Sequence, residues 1–179
     1  MIFRHNLDLC RLVWYNFICI TLAKGLIELQ IVEYNSLDNA QKANYAAQMA
    51  GCDWDAGRYL AWMLKEDKLR ECCGEYADAF FVVEGDTLCS FCTFADFDEI
   101  ESDDMKPWMG FVYTFPQFRG HRFSGLLADY TAAKAKAAGF KKLYVSSEEK
   151  GLYEKYGFTF IETMHSVHGY DTGVFVREL

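Results

Sequence analysis

The feature that most constrains the fold is a strand, a polar loop, a helix and a second strand that follow one another between residues 111 and 146. Residues 111–115 (FVYTF) are apolar and favour a buried strand, and Pro116 ends it because proline has no amide hydrogen for the ladder. A helix follows from an N-cap at Ser124 to Gly139, and residues 141–146 form a return strand. A crossover of this length predicts a right-handed βαβ unit with two parallel strands.

The loop between this strand and this helix is rich in groups that bind anions. Arg119, Gly120, His121 and Arg122 stand immediately before the first turn of the helix. The free amides at a helix N-terminus carry a positive partial charge, so together with two arginines they favour a phosphate or pyrophosphate. A solvated turn with surface arginines is the alternative, and a second pattern downstream favours the anion site.

That second pattern is residues 151–158, which read GLYEKYGF and follow the return strand in the chain. Together with the loop, residues 119–124 (RGHRFS), it resembles the GNAT superfamily of acetyl-CoA-dependent N-acetyltransferases. That family has a strand ending in proline, an Arg/Gln-x-x-Gly-x-Gly/Ala loop that opens a helix, another strand, and a Leu-Tyr-Glu-Lys-x-Gly-Phe helix and turn. The sequence departs from the pattern where Arg122 replaces the middle glycine and Ser124 replaces the last small residue.

The resemblance implies the fold class α/β (α+β), with a GNAT-like mixed central sheet of six to seven strands, a splayed central parallel pair and about four flanking helices. It implies that acetyl-CoA is the co-substrate and that no metal takes part. Backbone groups of the central strand are expected to bind the pantetheine arm, and the loop is expected to hold the pyrophosphate. The cofactor-binding residues expected on this basis are Val112, Tyr113, Thr114, Arg119, Gly120, His121, Arg122, Phe123, Ser124 and Gly125.

By the same resemblance, Tyr153 is the expected general acid, because it is the tyrosine of the Leu-Tyr-Glu-Lys motif. A phenol with a pKa of about 10 can protonate a departing thiolate at neutral pH, and a packing role is the alternative. The general base stays open, since residues 108–115 of the central strand carry no acid. We put Glu84 and Asp96 first, and the other carboxylates considered are Asp98, Glu99 and Glu149.

Composition limits the number of domains, the class of partner and the state of the cysteines. With 179 residues, of which 51% are apolar, the chain is expected to form one domain with a sizeable core. A net charge of −8 argues against nucleic acid or an anionic membrane as the partner. Seven cysteines, with Cys72 and Cys73 adjacent and no second pair at zinc spacing, predict free thiols in a reducing cytoplasm rather than disulfides or a metal site.

An apolar run at residues 12–23 precedes the first predicted strand, residues 27–34. The run is short for a bilayer span, which needs about 20 residues. We interpret residues 1–25 as an N-terminal extension and residues 26–179 as the acetyltransferase domain, with a signal-peptide-like core as the alternative reading of the run.

The other segments predict two helices followed by two hairpins. Residues 38–64 predict two helices, and residues 77–97 predict a hairpin. Two final strands at residues 159–165 and 169–176 predict a second hairpin at the end of the sheet.

Two groups of side chains near the expected cleft have alternative interpretations. Trp54, Tyr59 and Trp62 on the predicted helices are expected to pack in the core rather than to contact substrate. Acidic residues crowd positions 96–104, either as a solvated loop or as a rim that attracts a cationic amine.

The predicted function is an N-acetyltransferase that moves an acetyl group from acetyl-CoA to a primary amine of a small molecule or peptide. Direct attack in a ternary complex is expected, because no histidine is placed to activate Cys89 or Cys92 as a nucleophile. Two alternatives remain: an acyltransferase that uses another acyl-CoA, and a non-catalytic acyl-CoA-binding regulatory module. The apolar N-terminus and the last strands could support a homodimer.

Overall fold

The computed structural model describes residues 29–179, which form a mixed sheet of seven strands. The strands are β1 Leu29–Glu33, β2 Asp78–Glu84, β3 Thr87–Ala95, β4 Trp108–Thr114, β5 Lys142–Ser147, β6 Thr159–His165 and β7 Asp171–Glu178. Their order is β1-β2-β3-β4-β5-β7-β6, and β4 and β5 are the only parallel neighbours among the described strands. The predicted extension, residues 1–25, and the start of the strand predicted at residues 27–34 lie outside the described residues.

The α-helices of the described part are α1 Asn39–Ala50, α2 Asp55–Lys65, α3 Leu69–Cys73 and α4 Phe123–Ala137. A capping box begins α1: the Asp38 side chain accepts from the Gln41 amide at 2.8 Å, and the Gln41 side chain accepts from the Asp38 amide at 3.2 Å. The N-cap predicted for α4 is wrong. Arg122 occupies that position in a left-handed conformation, with φ of 60°, and Ser124 lies inside the first turn.

The sheet separates two apolar layers, which we call the α2 face and the α4 face. On the α2 face, helices α1 to α3 cover side chains that include Phe91 and Tyr113. On the α4 face, Leu127 of α4 packs in one cluster with Val145 of β5. Because side chains alternate along a strand, neighbouring residues of β4 and β5 point to opposite faces.

Strands β4 and β5 are joined only where they begin. Trp108 pairs with Tyr144, and the Tyr144 amide donates to the Pro107 carbonyl at 2.9 Å. No further residues of these two strands pair beyond that point within the described chain. The strands therefore diverge into a V-shaped opening, which confirms the splayed parallel pair expected from the sequence.

A β-bulge explains why β4 turns away from β5. Tyr113 pairs with Phe91, but Gly110 pairs with Thr93, so β4 holds one more residue than β3 over this stretch. The bulge contains Phe111, whose φ of 49° lies in the left-handed region that residues other than glycine rarely adopt. An extra residue bends its strand and increases the twist, which opens the edge of β4 toward β5.

The last two strands form the predicted hairpin, with β7 inserted between β5 and β6. β7 begins at Asp171, later than expected, because residues 166–170 form a tight turn closed by the Ser166 amide donating to the Tyr170 carbonyl at 2.8 Å. None of the described helices is long and apolar enough to cross a membrane.

Candidate functional site

A cleft of about 1400 Å³ occupies the opening between β4 and β5. Its walls include Trp54 and Tyr113, which belong to the α2 face, and Val145 and Tyr153, which belong to the α4 face. The cleft therefore passes through the sheet and connects the two faces. Such a passage lets two reactants approach one point from opposite sides.

One wall of the cleft is the free edge of β4. Val112, Tyr113 and Thr114 all line the cleft, and β4 pairs with β3 along its other edge. An unpaired strand edge offers amide and carbonyl groups to an extended ligand, which can add to the sheet as a further strand. The structure thus brings together the three residues that the sequence suggested for the pantetheine arm.

The loop before α4 presents a row of free amides. The Arg119 amide donates to the Pro116 carbonyl at 3.3 Å, and the Gly125 amide donates to the Arg122 carbonyl at 3.0 Å. Between them, the amides of residues 120–124 have no backbone acceptor among residues 29–179. Free amides at the start of a 15-residue helix are able to donate to an anion, which is the chemistry that the sequence predicts for this loop.

The two arginines of this loop rest on aromatic rings. The Arg119 guanidinium lies 5.8 Å from the centroid of the Tyr113 ring, and its Nε donates to the Thr114 carbonyl at 3.2 Å. The Arg122 guanidinium lies 5.9 Å from the centroid of the Tyr156 ring. Arg119 lines the cleft, as does Ser124. Gly120, His121, Arg122, Phe123 and Gly125 belong to the same loop and helix start but do not line the cleft.

Tyr156 packs against the start of α4, next to this loop. Its hydroxyl lies 3.0 Å from the Ser124 hydroxyl, and a Cβ on Gly125 would stand only 2.7 Å from Cε1 of its ring. Glycine at position 125 therefore allows the start of α4 to approach Tyr156 closely. From the sequence, Gly125 is expected only as a cofactor-binding residue, and the structure shows that its contact with Tyr156 requires a residue without a side chain.

Tyr153 lies on the α4 face of the cleft, with only 5% of its surface exposed. Its ring packs against Phe158 and Phe175, with centroids 5.8 Å and 5.9 Å away. Burial raises the pKa of Tyr153 well above its ordinary value, and the nearby Asp98 adds to the rise. The phenol is therefore held in one orientation and remains protonated at neutral pH.

Asp98 lies in the opening itself. The Ser146 hydroxyl of β5 donates to Oδ2 of Asp98 at 3.2 Å, and a Cβ on Gly110 of β4 would stand 3.4 Å from both carboxylate oxygens. The carboxylate is therefore in reach of both strands that form the opening. Burial raises the pKa of Asp98 to about 7, so this group can exchange protons near neutral pH.

Glu84 and Asp96, the carboxylates put first from the sequence, do not line the cleft. Glu84 ends β2 beside the hairpin turn, where it pairs with Leu29 and Thr87. Asp96 is 9% exposed and accepts from the Tyr76 amide at 3.0 Å, so it stabilises the segment after α3. Of the carboxylates considered from the sequence, the structure brings three to the cleft. They are Asp98, Glu99 and Glu149.

Two of the three aromatic residues expected in the core are exposed. Tyr59 and Trp62 are 50% and 47% exposed and stack on each other with centroids 5.5 Å apart. Tyr59 also lines the cleft, so the expectation that it packs in the core is wrong. Trp54 is partly buried and stacks on Tyr113 at 5.8 Å, which agrees with a packing role.

Sequence reasoning missed several residues that line the cleft on the α2 face. Phe97, Tyr170 and Thr172 are among them, and Ser146 orients Asp98. No local signal marks them, because they come from a loop, a hairpin turn and two strand ends that meet only in the folded chain. Among residues 29–179, no group of three histidine, cysteine or acidic side chains could hold a metal ion.

Comparisons with known proteins agree with this architecture. The profile of the acetyltransferase (GNAT) family matches residues 39–158. An aminoglycoside 6′-N-acetyltransferase complexed with coenzyme A is similar in structure, with a TM-score of 0.60 and 13% sequence identity over 83% of this chain and 96% of that one. A GNAT family acetyltransferase from Elizabethkingia anophelis with acetyl-CoA bound has a TM-score of 0.55 and 13% identity over 84% and 98%.

A third structure similar to this chain is the ribosomal L7/L12 alpha-N-protein acetyltransferase RimL in complex with coenzyme A, with a TM-score of 0.58 and 11% identity over 84% of this chain and 94% of that one. No curated protein matches the sequence. Identities this low establish the shared fold, whereas the profile match extends over most of the chain. The chain belongs to the GNAT acetyltransferase family.

Proposed function

We propose that this acetyltransferase moves an acetyl group from acetyl-CoA to a primary amine by direct attack in a ternary complex. One observation carries the proposal. The opening between β4 and β5 has a carboxylate with a pKa raised to about 7, Asp98, and a buried, protonated phenol, Tyr153, on its walls. A base and an acid at one passage are what transfer between an ammonium and a thioester requires.

Acetyl-CoA is proposed to enter along the α4 face. Its pyrophosphate would accept from the free amides of residues 120–124, with Arg119 and Arg122 adding charge. Its pantetheine arm would lie along the free edge of β4 at Val112, Tyr113 and Thr114. The aminoglycoside and Elizabethkingia enzymes, whose structures contain coenzyme A or acetyl-CoA, support this co-substrate.

The amine is proposed to approach from the α2 face as an ammonium ion. Asp98 takes one proton, and the nitrogen lone pair then forms a bond to the carbonyl carbon of the thioester. A main-chain amide on the free edge of β4 stabilises the oxyanion. The carbon–sulfur bond breaks as Tyr153 protonates the thiolate. The nitrogen then gives a second proton, which returns to the Tyr153 phenolate through solvent, and Asp98 releases its proton to solvent.

A covalent acetyl-cysteine does not fit the positions of the two thiols of β3. Cys89 and Cys92 of β3 are fully buried, and neither lines the cleft. Burial raises the pKa of Cys89 to about 11 and that of Cys92 to about 12, so neither forms a thiolate at neutral pH. Cys72 and Cys73 of α3 do line the cleft, and burial raises the pKa of Cys73 to about 12. Direct transfer to the amine is therefore better supported than transfer through Cys73, Cys89 or Cys92.

Initial-rate kinetics with several amines and acetyl-CoA test this function, with thiol release as the measurement. Intersecting double-reciprocal lines are expected from a ternary complex, and parallel lines would contradict direct transfer. A thermal shift with acetyl-CoA, measured separately, reports binding alone. Binding without turnover on any amine would instead support a non-catalytic acyl-CoA-binding module.

A further inference from the structure

We infer that the acceptor is a primary amine joined by a short alkyl chain to an aromatic ring, without a carboxylate. The inference rests on the proposed function and adds a substrate class to it. The binding surface is the α2-face wall of the cleft, and we call it the acceptor wall. It consists of Tyr59, Phe97, Asp98, Glu99, Val167, Tyr170 and Thr172.

Exposed apolar side chains are concentrated on the acceptor wall. The described residues include eight large hydrophobic side chains that are exposed, and four of them line the cleft. These four are Tyr59, Phe97, Val167 and Tyr170. Apolar side chains grouped around a cleft mark a ligand surface more often than single exposed residues do.

Hydrogen bonds place Phe97 beside the helices of the α2 face. The amides of Asp96 and Phe97 both donate to the Cys73 carbonyl at the end of α3, at 2.8 Å and 3.2 Å. Tyr59 of α2 lies beside Cys72 of the same helix α3, and partial burial together with this thiol raises the Tyr59 pKa. Phe97 and Tyr59 therefore flank the end of α3 on one side of Asp98.

On the other side of the acceptor wall, Glu99 accepts hydrogen bonds from the turn between β6 and β7. The Val167 amide donates to the Glu99 carbonyl at 2.8 Å, and the Tyr170 hydroxyl donates to the Glu99 carboxylate. Consecutive Cα atoms lie about 3.8 Å apart, so Phe97 and Glu99 stand next to Asp98 on either side. An ammonium at Asp98 thus has an aromatic surface within the length of a short alkyl chain.

The charge of the cleft favours a cation and disfavours an acid. The described residues that line it include five carboxylates and one guanidinium, that of Arg119. Asp55 is already paired with Arg58, and the Arg119 guanidinium lies against the Tyr113 ring and donates to the Thr114 carbonyl. A carboxylate on the acceptor would meet five carboxylates and one guanidinium, and that guanidinium already contacts an aromatic ring and a carbonyl, so amino acids are expected to be poor acceptors.

Thr172 provides a second sign that this wall receives a ligand. Its side chain is 2% exposed and lines the cleft, yet its hydroxyl has no hydrogen-bond partner among residues 29–179. Buried hydroxyls are seldom left unpaired, because the lost hydrogen bond to water costs free energy. A bound ammonium or a water molecule that accompanies it would supply the partner.

Four acceptors test the inference: 2-phenylethylamine, ethylamine, which lacks the ring, phenylalanine, which adds a carboxylate, and spermidine, which lacks the ring and adds positive charge. We expect kcat/KM to be at least about tenfold higher for 2-phenylethylamine than for each of the others, since ring contacts and charge matching each contribute about that factor. Equal or better turnover of ethylamine, phenylalanine or spermidine would overturn the inference and leave the proposed function intact.

Variants locate the preference on the acceptor wall. The ratio of kcat/KM for 2-phenylethylamine to that for ethylamine should fall about threefold to tenfold in Phe97→Ala and in Tyr59→Ala. Tyr76→Ala is the matched control, because Tyr76 is 53% exposed and lies outside the cleft. An unchanged ratio in both wall variants, or an equal fall in Tyr76→Ala, contradicts the assignment.

If no turnover is seen, amine binding to the complex with coenzyme A distinguishes a failure of the proposed function from a failure of the acceptor wall. 2-Phenylethylamine should raise the melting temperature of that complex more than ethylamine does, and Phe97→Ala should reduce this difference. If no amine is acetylated but this pattern holds, the proposed function fails and the acceptor wall stands. If neither turnover nor binding favours 2-phenylethylamine, the acceptor wall is wrong.

Discussion

Replacing Asp98 with asparagine should slow the enzyme and stabilise the folded protein at the same time. Burial raises the pKa of this carboxyl from an ordinary value of 3.8 to about 7. At about 1.4 kcal/mol per pKa unit, the ionised carboxylate costs the folded state up to about 4 kcal/mol, an upper limit because the side chain is partly exposed. Asparagine carries no charge, and its amide oxygen can still accept from the Ser146 hydroxyl.

The sign of the effect depends on pH. The folded protein holds the Asp98 proton more tightly than the unfolded chain, so wild-type stability falls as the pH rises from about 4 to about 7. The asparagine variant has no such loss. Its free energy of unfolding should therefore exceed the wild-type value by about 2 to 4 kcal/mol at pH 8 and by little near pH 4. Urea denaturation at the two pH values measures the difference.

Activity should change in the opposite direction. In the wild type, kcat/KM should fall about tenfold per pH unit below the pKa of Asp98, about 7, because the base must be ionised. Asp98→Asn should lower kcat/KM by about 10²-fold to 10⁴-fold and remove this inflection. The inflection that belongs to the acceptor amine, at a pKa of about 10, should remain.

Asp103→Asn is the control, because Asp103 is an exposed carboxylate in the same loop and does not line the cleft. It should leave both stability and the pH profile unchanged. The reasoning is refuted if Asp98→Asn keeps the wild-type kcat/KM and inflection. A variant that is both less active and less stable at pH 8 would show that the carboxylate is structural.

Three further substitutions test other parts of the site. Tyr153→Phe should lower kcat by about 10²-fold or more with little change in coenzyme A affinity, because only the leaving thiolate needs the phenol. Arg119→Ala combined with Arg122→Ala should weaken coenzyme A binding about tenfold to a hundredfold, measured by calorimetry, because charged hydrogen bonds to phosphate are lost. Gly125→Ala should reduce the free energy of unfolding by about 1 to 3 kcal/mol in urea, because the new Cβ would stand 2.7 Å from the Tyr156 ring.

Matched changes elsewhere in the chain serve as controls. Tyr144→Phe removes a hydroxyl from β5 outside the cleft, and Lys136→Ala removes an exposed charge late in α4. Both should keep wild-type activity and coenzyme A affinity. Equal kcat in Tyr153→Phe and the wild type would remove Tyr153 from the reaction, and an unchanged affinity in the double arginine variant would place the pyrophosphate elsewhere.

Local features of the chain were predictable because their information lies in neighbouring residues. The strand that ends at Pro116, the helix capped by Asp38 and the anion-binding loop follow from hydrophobic period, capping and charge within a few positions. The parallel pair follows from the length of its crossover. The resemblance of residues 119–124 and 151–158 to a family motif then supplied the splayed sheet and the position of Tyr153.

The different roles of Asp96 and Asp98 could not be predicted from the residues around them. They stand two positions apart in one acidic run, yet Asp96 bonds to the Tyr76 amide and Asp98 to the Ser146 hydroxyl. Composition and spacing treat the two carboxylates alike. Their different burial and partners come from α3 on one side and β5 on the other.

The sequence alone determined the order of the elements, the family and the loop that can hold an anion, since each rests on residues close together in the chain. Only the tertiary structure decided which carboxylate reaches the opening, that Tyr59 and Phe97 face the cleft instead of the core, and that Phe111 adopts a left-handed φ in the bulge of β4. The physical reason is that burial, pKa and strand divergence depend on contacts between segments far apart in sequence, and no local pattern encodes which of those contacts form.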